Sequence, residues 1–250
     1  MPFIAFLLSL LPLPPLLLYF SRGRRRVLAT ELFWTAAGFG FLAAMPIAVV
    51  EQVLAKLFAD STNLDSYAAM TAFLIAALPE ELGKYTILVG FVLGHADFER
   101  PQNAFLFGLA VSLGFATIEN ISYVAMASQW TAVALIRAVS AVPLHATTGA
   151  LMGAFAARAL VYDDRAGLFY GLAFAVPAML HGCYDFAVMT VAYGFHDEHG
   201  APSFPLWVYV LFLIVTFTMT GIAAANASRL VPSEHQAMRL SRAARSTARN

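Results

Sequence analysis

The feature that most constrains this fold is a succession of long apolar segments. Each is long enough to cross a bilayer as a helix, which takes ~20 apolar residues. The predicted spans are residues 2–20, 29–50, 67–94, 103–127, 131–158, 166–193 and 205–228. Hydrophobic residues make up 60% of the sequence and charged residues 12%, a composition typical of integral membrane proteins. We therefore predict an all-α integral membrane protein, a bundle of about seven transmembrane helices.

The basic residues between these spans predict the orientation of the chain. One set of alternate loops and the C-terminal tail hold Arg22, Arg24, Arg25, Arg26, Arg100, Arg158, Arg165, Arg229, Arg239, Arg242, Arg245 and Arg249. The opposite loops hold only Lys56. By the positive-inside rule, the N-terminus lies outside and the C-terminus in the cytoplasm, with the chain in the cell membrane. Residues 1–228 then form one polytopic transmembrane domain, and 229–250 a basic tail that faces lipid and not nucleic acid.

The outer loop 51–66 permits two interpretations. Its apolar residues recur at helical spacing: Val53, Leu54, Leu57 and Phe58. Such a pattern is typical of a short helix lying on the membrane surface. The pattern fits a simple extension of the second span equally well.

The third span carries charges near its middle, in the stretch from Pro79 to Lys84. Glu80, Glu81 and Lys84 each cost ~2.5–3.5 kcal/mol to insert at that depth. Glu80 and Lys84 are four residues apart and share one helix face, whereas Glu81 points about 100° away. Pro79 lacks an N–H group, so the helix should bend here. The stretch is either a functional site or a buried ion pair that only fixes helix packing.

Polar residues of three further spans are predicted to meet this stretch. They are Glu119 and Asn120 in span four, Arg137 and His145 in span five, and His181 and Asp185 in span six. A rise of 1.5 Å per residue places Glu80 and the key residues of these spans ~12–21 Å from the outer ends of their helices. We therefore predict one polar site in the outer half of the membrane. In it Asp185 orients His181, Asn120 supports helix packing, and Arg137 pairs with a carboxylate or extends outward.

The charge balance of this predicted site leaves two chemistries open. If all four carboxyls ionise, they outnumber the two bases Lys84 and Arg137 by two charges. One divalent metal restores the balance, with Glu119, His145 and His181 as ligands of a zinc site that keeps its fourth position open. A proton shared between carboxyls restores it equally, with Glu80 as a metal-free base. Either way, the residues present can activate water for attack on a carbonyl.

These patterns resemble the PrsW family of intramembrane proteases, related to the larger CAAX-protease and bacteriocin-processing superfamily. The family pattern is Glu-Glu-x-x-Lys, then Phe-x-x-x-Glu, then a span with a histidine, then His-x-x-x-Asp. In this sequence the corresponding residues are Glu80–Glu81–Leu82–Gly83–Lys84, Phe115 to Glu119, His145 with Gly149, and His181 to Asp185. The order, the spacing and the membrane setting agree over residues 67–193.

The resemblance implies hydrolysis of a peptide bond in a membrane protein, such as the regulated cleavage of a membrane-bound anti-sigma factor. It implies Glu80 or Glu81 as general base, with Glu119, His145 and His181 as further catalytic or metal-binding residues. A proton- or cation-coupled transporter is the main alternative, since intramembrane Glu, His and Lys also serve proton relays. A membrane scaffold without catalysis is the third reading, and it leaves the buried charges unexplained.

Overall fold

The computed structural model describes residues 10–20, 30–58, 63–193 and 203–233, with the isolated positions 4, 7 and 236. Over these ranges the chain is helical apart from short connections. The helices are α1 (Leu13–Phe20), α2 (Thr30–Leu57), α3 (Leu64–Met70), π1 (Thr71–Ala77), α4 (Leu78–Tyr85), π2 (Thr86–Val92), α5 (Ala104–Met126), α6 (Trp130–Val139), α7 (Ala141–Val161), α8 (Ala166–Tyr193) and α9 (Leu206–Ala227). The prediction of an all-α membrane protein is confirmed.

Five described helices are long and apolar enough to cross a membrane. They are Glu31–Leu57, Pro101–Met126, Trp130–Val161, Asp163–Ala192 and Leu206–Leu230, and they match five of the seven predicted spans. The predicted span 67–94 is helical from Leu64 to Val92. Its three central charges make it less apolar than the five helices above. The first predicted span is described in part, as α1.

The third predicted span is a composite helix whose hydrogen-bond pattern changes along its length. A π-helical segment precedes α4 and a second one follows it. The N–H of Leu78, at the junction, bonds to the carbonyl of Phe73, five residues earlier. Pro79 follows at once, where the missing N–H group would interrupt a regular ladder. Such π-helical turns are rare and occur mostly at functional sites, and here they flank the α-helical turn pair that carries Glu80, Glu81 and Lys84.

Helices α5 and α7 form the centre of the bundle, and glycines bring them close together. A Cβ atom added to Gly149 would lie 2.5 Å from the backbone oxygen of Gly108, and one added to Gly108 would lie 2.3 Å from that of Gly149. Small residues at such crossings let membrane helices approach closely. Ser112 also donates a hydrogen bond of 2.6 Å to the carbonyl oxygen of His145. This packing sets α7, and with it His145, against α5.

Two predictions about the connections can be compared with the structure. Helix α2 continues to Leu57, so residues 51–57 extend the second span. Residues 21–29 and most of the basic tail lie outside the described residues, and the division into a domain 1–228 and a tail 229–250 stays a prediction.

Candidate active site

Lys84 lies at the centre of the polar cluster. Its Nζ atom is 3.1 Å from Oε2 of Glu80, 2.9 Å from Oε1 of Glu81 and 3.0 Å from Nδ1 of His145. The ammonium group has three protons to donate, so each contact takes one. Lys84 therefore bridges both glutamates, although Glu81 points about 100° away from Glu80 on the helix.

His145 connects Lys84 to the carboxylate of Glu119. Because Nδ1 of His145 accepts a hydrogen bond from the ammonium of Lys84, the neutral ring carries its proton on Nε2, which donates a hydrogen bond to Oε2 of Glu119, 2.6 Å away. Arg137 pairs with the same oxygen of Glu119 at 3.0 Å, and its Nε atom donates to Asn120 at 2.8 Å. The expectation that Arg137 pairs with a carboxylate is therefore met.

His181 has carboxylates on both sides of its ring. Nδ1 lies 2.9 Å from Oε1 of Glu81 and 3.9 Å from Oε2 of Glu80, while Nε2 lies 3.3 Å from Oδ2 of Asp185. Asp185 is four residues away on α8, the spacing that puts two side chains on one helix face. In both histidines, Nδ1 therefore faces a residue of α4. Nε2 faces a carboxylate, that of Glu119 for His145 and that of Asp185 for His181.

A break between α6 and α7 shapes this side of the site. The helix is interrupted at Ser140, three residues before Pro143. Pro143 has no N–H group to donate to the carbonyl oxygen of Val139. The hydroxyl of Tyr184 donates to Oγ of Ser140 at 2.8 Å and ties the break to α8. The break lies between Arg137 and His145, which approach Glu119 from two separate helices.

A cavity of about 360 Å³ opens beside the cluster. The charged and histidine side chains on its wall are Glu51, Glu80, Glu119, Arg137, His145, His181 and Asp185. Glu81 and Lys84 do not line it, and the side chain of Glu81 is 0% exposed. The two neighbouring glutamates therefore differ in access, because only Glu80 can meet a molecule that enters the cavity.

The residues present fit a divalent metal. Glu80, His145 and His181 each offer a ligand atom, and these atoms lie within 4.8 Å of one another. Two imidazoles and one carboxylate are a common ligand set of catalytic zinc. Carboxylates hold the far nitrogens of both rings, as the outer partners of metal-bound histidines usually do. Oε2 of Glu81 is also buried and has no hydrogen-bond partner among the described residues.

The grouping of ligand atoms differs in one residue from the predicted set of Glu119, His145 and His181. Glu80 takes the place of Glu119, whose oxygen contacts the ring of His145 instead. All nine predicted site residues lie in or against the cluster, but their individual roles stay predictions.

Sequence reasoning missed Glu51, Tyr123 and Thr148. Glu51 and Tyr123 line the cavity, and Oγ1 of Thr148 lies 3.4 Å from Oε1 of Glu81. Glu51 was assigned to a loop. The helical spacing of the apolar residues up to Leu57 was the signal that could have placed it on a helix facing the site.

Comparison with known proteins gives one consistent family. Residues 29–220 match the model of a protein family described as PrsW family intramembrane metalloproteases. Similar curated proteins, each called Protease PrsW, come from Geobacillus kaustophilus (34% identical over 151 residues, 60% of this chain and 64% of that protein), Shouchella clausii (30% over 190 residues, 76% and 80%) and Bacillus subtilis (30% over 194 residues, 77% and 80%). The match thus spans slightly less than two thirds of the first protein's length. No solved structure matches this chain. The transporter alternative gains no support.

Proposed function

This chain belongs to the PrsW family of intramembrane metalloproteases, and we propose that it hydrolyses a peptide bond of a membrane protein in the cavity beside Glu80. The observation that carries the proposal is the access of Glu80. Its carboxylate lies on the cavity wall, next to two histidines, on a short helix between two apolar π-helical segments. A buried carboxylate that water can reach is what hydrolysis in a membrane requires.

Glu80 is the carboxylate on which water activation depends. In a metal-free reaction it accepts the proton of the attacking water as a general base. Lys84 holds this carboxylate in place at 3.1 Å. Glu81 is enclosed by Lys84 and His181 and supports the arrangement from behind, without meeting the substrate.

His145 and His181 face the space that the scissile carbonyl would enter. A ring N–H group that turned from its present carboxylate partner to the oxygen of that carbonyl would stabilise the negative charge that develops during attack. Glu119 and Asp185 fix the two rings by their contacts with the Nε2 atoms. Arg137 in turn holds Glu119, so the position of His145 depends on a chain of three side chains.

A divalent metal would be held by Glu80, His145 and His181, and zinc suits this ligand set best. When bound, the ion would lower the pKa of a water molecule and polarise the carbonyl of the substrate. Glu119 would then remain on the cavity wall as a carboxylate able to take a proton. The substrate class suggested by the family resemblance is a membrane-bound regulatory protein such as an anti-sigma factor.

The proposal is tested by cleavage in a defined membrane. The purified chain is placed in liposomes with a single-span model substrate, and products are identified by mass spectrometry. We expect Glu80→Gln to lower cleavage by ~10²-fold or more, the usual contribution of a general base. Glu99→Gln is the matched control, because Glu99 is exposed and remote from the cluster. Cleavage by Glu80→Gln at the rate of the control would contradict the proposal.

A further inference from the structure

Glu51 is a charged residue of the cavity that the proposed reaction does not use. It lies on α2, six residues before the end of that helix, and its side chain is half-buried. Among the described residues it has no hydrogen bond or ion pair. Every other charged side chain on the wall has one: Glu80 with Lys84, Glu119 with Arg137, and Asp185 with His181.

The charge on the cavity wall remains negative after its internal pairs are counted. Four carboxylates line the wall against one guanidinium, and Lys84 and Glu81 cancel each other behind it. If all four carboxyls ionise and both histidines are neutral, even one divalent ion in the ligand group leaves a charge of minus one. Glu51 is the carboxyl left without a partner, and its burial, together with the nearby carboxylates of Glu80 and Glu119, disfavours its charged form in the cavity. A carboxylate in such a place gains most from a cation brought by another molecule.

Glu51 lies on the side where the cavity opens. The composite helix from Leu64 to Val92 lies between α2 and α5 in the chain and runs back across the bundle. Helices α2 and α5 therefore end on the same side. Tyr123 and Met126, near the end of α5, line the cavity and are 52% and 87% exposed. Glu51 is ~9 Å from the end of its helix, whereas Glu80 is ~24 Å from the start of α3. A chain entering from this side would pass Glu51 before it reached Glu80.

We propose that Glu51 is a specificity-determining residue that binds a lysine or arginine side chain of the substrate close to the scissile bond; this rests on the proposed function. The cation must come from the substrate because Arg137 is already held by Glu119 and Asn120 and stacks on Tyr123 at 4.0 Å. Glu51 is also outside the group of ligand atoms that could share a metal. A cavity of about 360 Å³ is at the lower end of the ~300–1,000 Å³ typical of ligand sites, enough for a few side chains.

The test uses substrates that differ in one charge. A lysine, a glutamine or a glutamate is placed at each of four positions on either side of the cut. We expect the wild-type chain to cleave the best lysine substrate ~10-fold faster than its glutamate counterpart, the size of one favourable charge contact. Glu51→Gln should flatten this order and Glu51→Lys should reverse it. Glu31→Gln is the control on the same helix, where the side chain is exposed, and it should keep the wild-type order.

Binding to an inactive form separates this inference from the proposed reaction. Glu80→Gln is immobilised in detergent, and retention of each substrate is measured with and without the added Glu51→Gln change. Preferential retention of the lysine substrate that is lost in the double variant supports a role for Glu51, whether or not the wild type cleaves. Equal retention of all three substrates, or an unchanged order in Glu51→Lys, would overturn it.

Discussion

Glu80 and Glu81 are adjacent in sequence, share the ammonium of Lys84, and lie in different surroundings. Glu80 is on the wall of the cavity, whereas Glu81 is completely enclosed, with Oε1 taking contacts from Lys84, Thr148 and His181. Removing a residue from a buried hydrogen-bond network lowers the stability of the protein. Removing a residue that lines the active-site cavity is expected to affect the reaction instead. The sequence alone could not rank the two glutamates as the base, and access to the cavity favours Glu80 in the proposed mechanism.

The first prediction separates these two roles by stability. Glu81→Gln removes a charge that balances Lys84 in a fully buried position, and breaking such a pair costs ~3–5 kcal/mol. Glu80→Gln also removes a charge beside Lys84, but this position lines the cavity, where water can solvate the change, and it should cost only ~1 kcal/mol. We expect the unfolding temperature in detergent to be clearly lower for Glu81→Gln than for Glu80→Gln, and both variants to be inactive. Equal unfolding temperatures would mean that Glu81 is not the structural member of the pair.

The second prediction concerns metal content. Because the ligand atoms of Glu80, His145 and His181 lie within 4.8 Å of one another, we expect about one divalent ion per purified chain, and its loss in both Glu80→Gln and His181→Ala. Elemental analysis measures it, with Glu99→Gln as control. If Glu80→Gln retained the ion but did not cleave, Glu80 would be the base and Glu119 the third ligand. Full activity in metal-free protein would leave the glutamate mechanism standing.

The third prediction tests whether helix packing positions His145. Gly149→Ala places a Cβ atom 2.4 Å from Cβ of Ser112 and 2.5 Å from the backbone oxygen of Gly108, so α5 and α7 must separate. We expect a loss of stability of ~1–3 kcal/mol, together with weaker cleavage, because Glu119 and His145 belong to those two helices. Gly171→Ala is the control, since nothing lies within 4 Å of its added Cβ. If both variants lost stability and activity to a similar extent, the close packing of α5 against α7 would not be what positions His145.

The spans and the polar cluster could be predicted because both follow from local rules. Apolar length defines the spans, and the spacing of Glu80 and Lys84 or of His181 and Asp185 puts each pair on one helix face. Partners across helices could not be predicted in this way. Whether Glu119 contacts a metal or the ring of His145 depends on how α5 crosses α7, and the close approach of these helices at Gly108 and Gly149 is a tertiary contact.

The π-helical segments and Glu51 were missed for physical reasons too. A change from α to π alters one hydrogen bond per residue and leaves the apolar pattern nearly unchanged, so it has no clear signal in the sequence. Glu51 follows a continuous apolar stretch, and a charge at that point is equally typical of a span that has ended. Only the continuation of α2 to Leu57 brings it into the cavity wall.

The fourth prediction concerns pH and a contact between α3 and the start of α9. Asp65 accepts hydrogen bonds from the N–H of Ser203, at 3.1 Å, and from the hydroxyl of Tyr209. Burial opposes ionisation of Asp65, but these hydrogen bonds outweigh it and hold the pKa of the carboxyl below its usual range. A group with a lowered folded pKa stabilises the protein above its unfolded pKa and loses that effect as the pH falls through the folded value.

The unfolding temperature should therefore be higher for the wild type than for Asp65→Asn at neutral pH. The difference should shrink below pH ~4, where the unfolded carboxyl also binds protons. Asp163→Asn is the control at an exposed aspartate. A difference that stays constant down to pH 2 would show that the charge of Asp65 contributes nothing.

The last prediction is the position of the cut in the substrate. Glu119 lies seven residues before the end of α5 and Asp185 eight before the end of α8, so both are ~10–12 Å from the side where the cavity opens. By the positive-inside rule we expect that side to be the exterior. A substrate helix hides its carbonyls in its own hydrogen bonds, and it unwinds most easily near its end. We expect mass spectrometry of the products to place the cut in the outer half of the substrate span or just outside it. A cut in the cytoplasmic third would contradict both the depth of the site and the orientation of the chain.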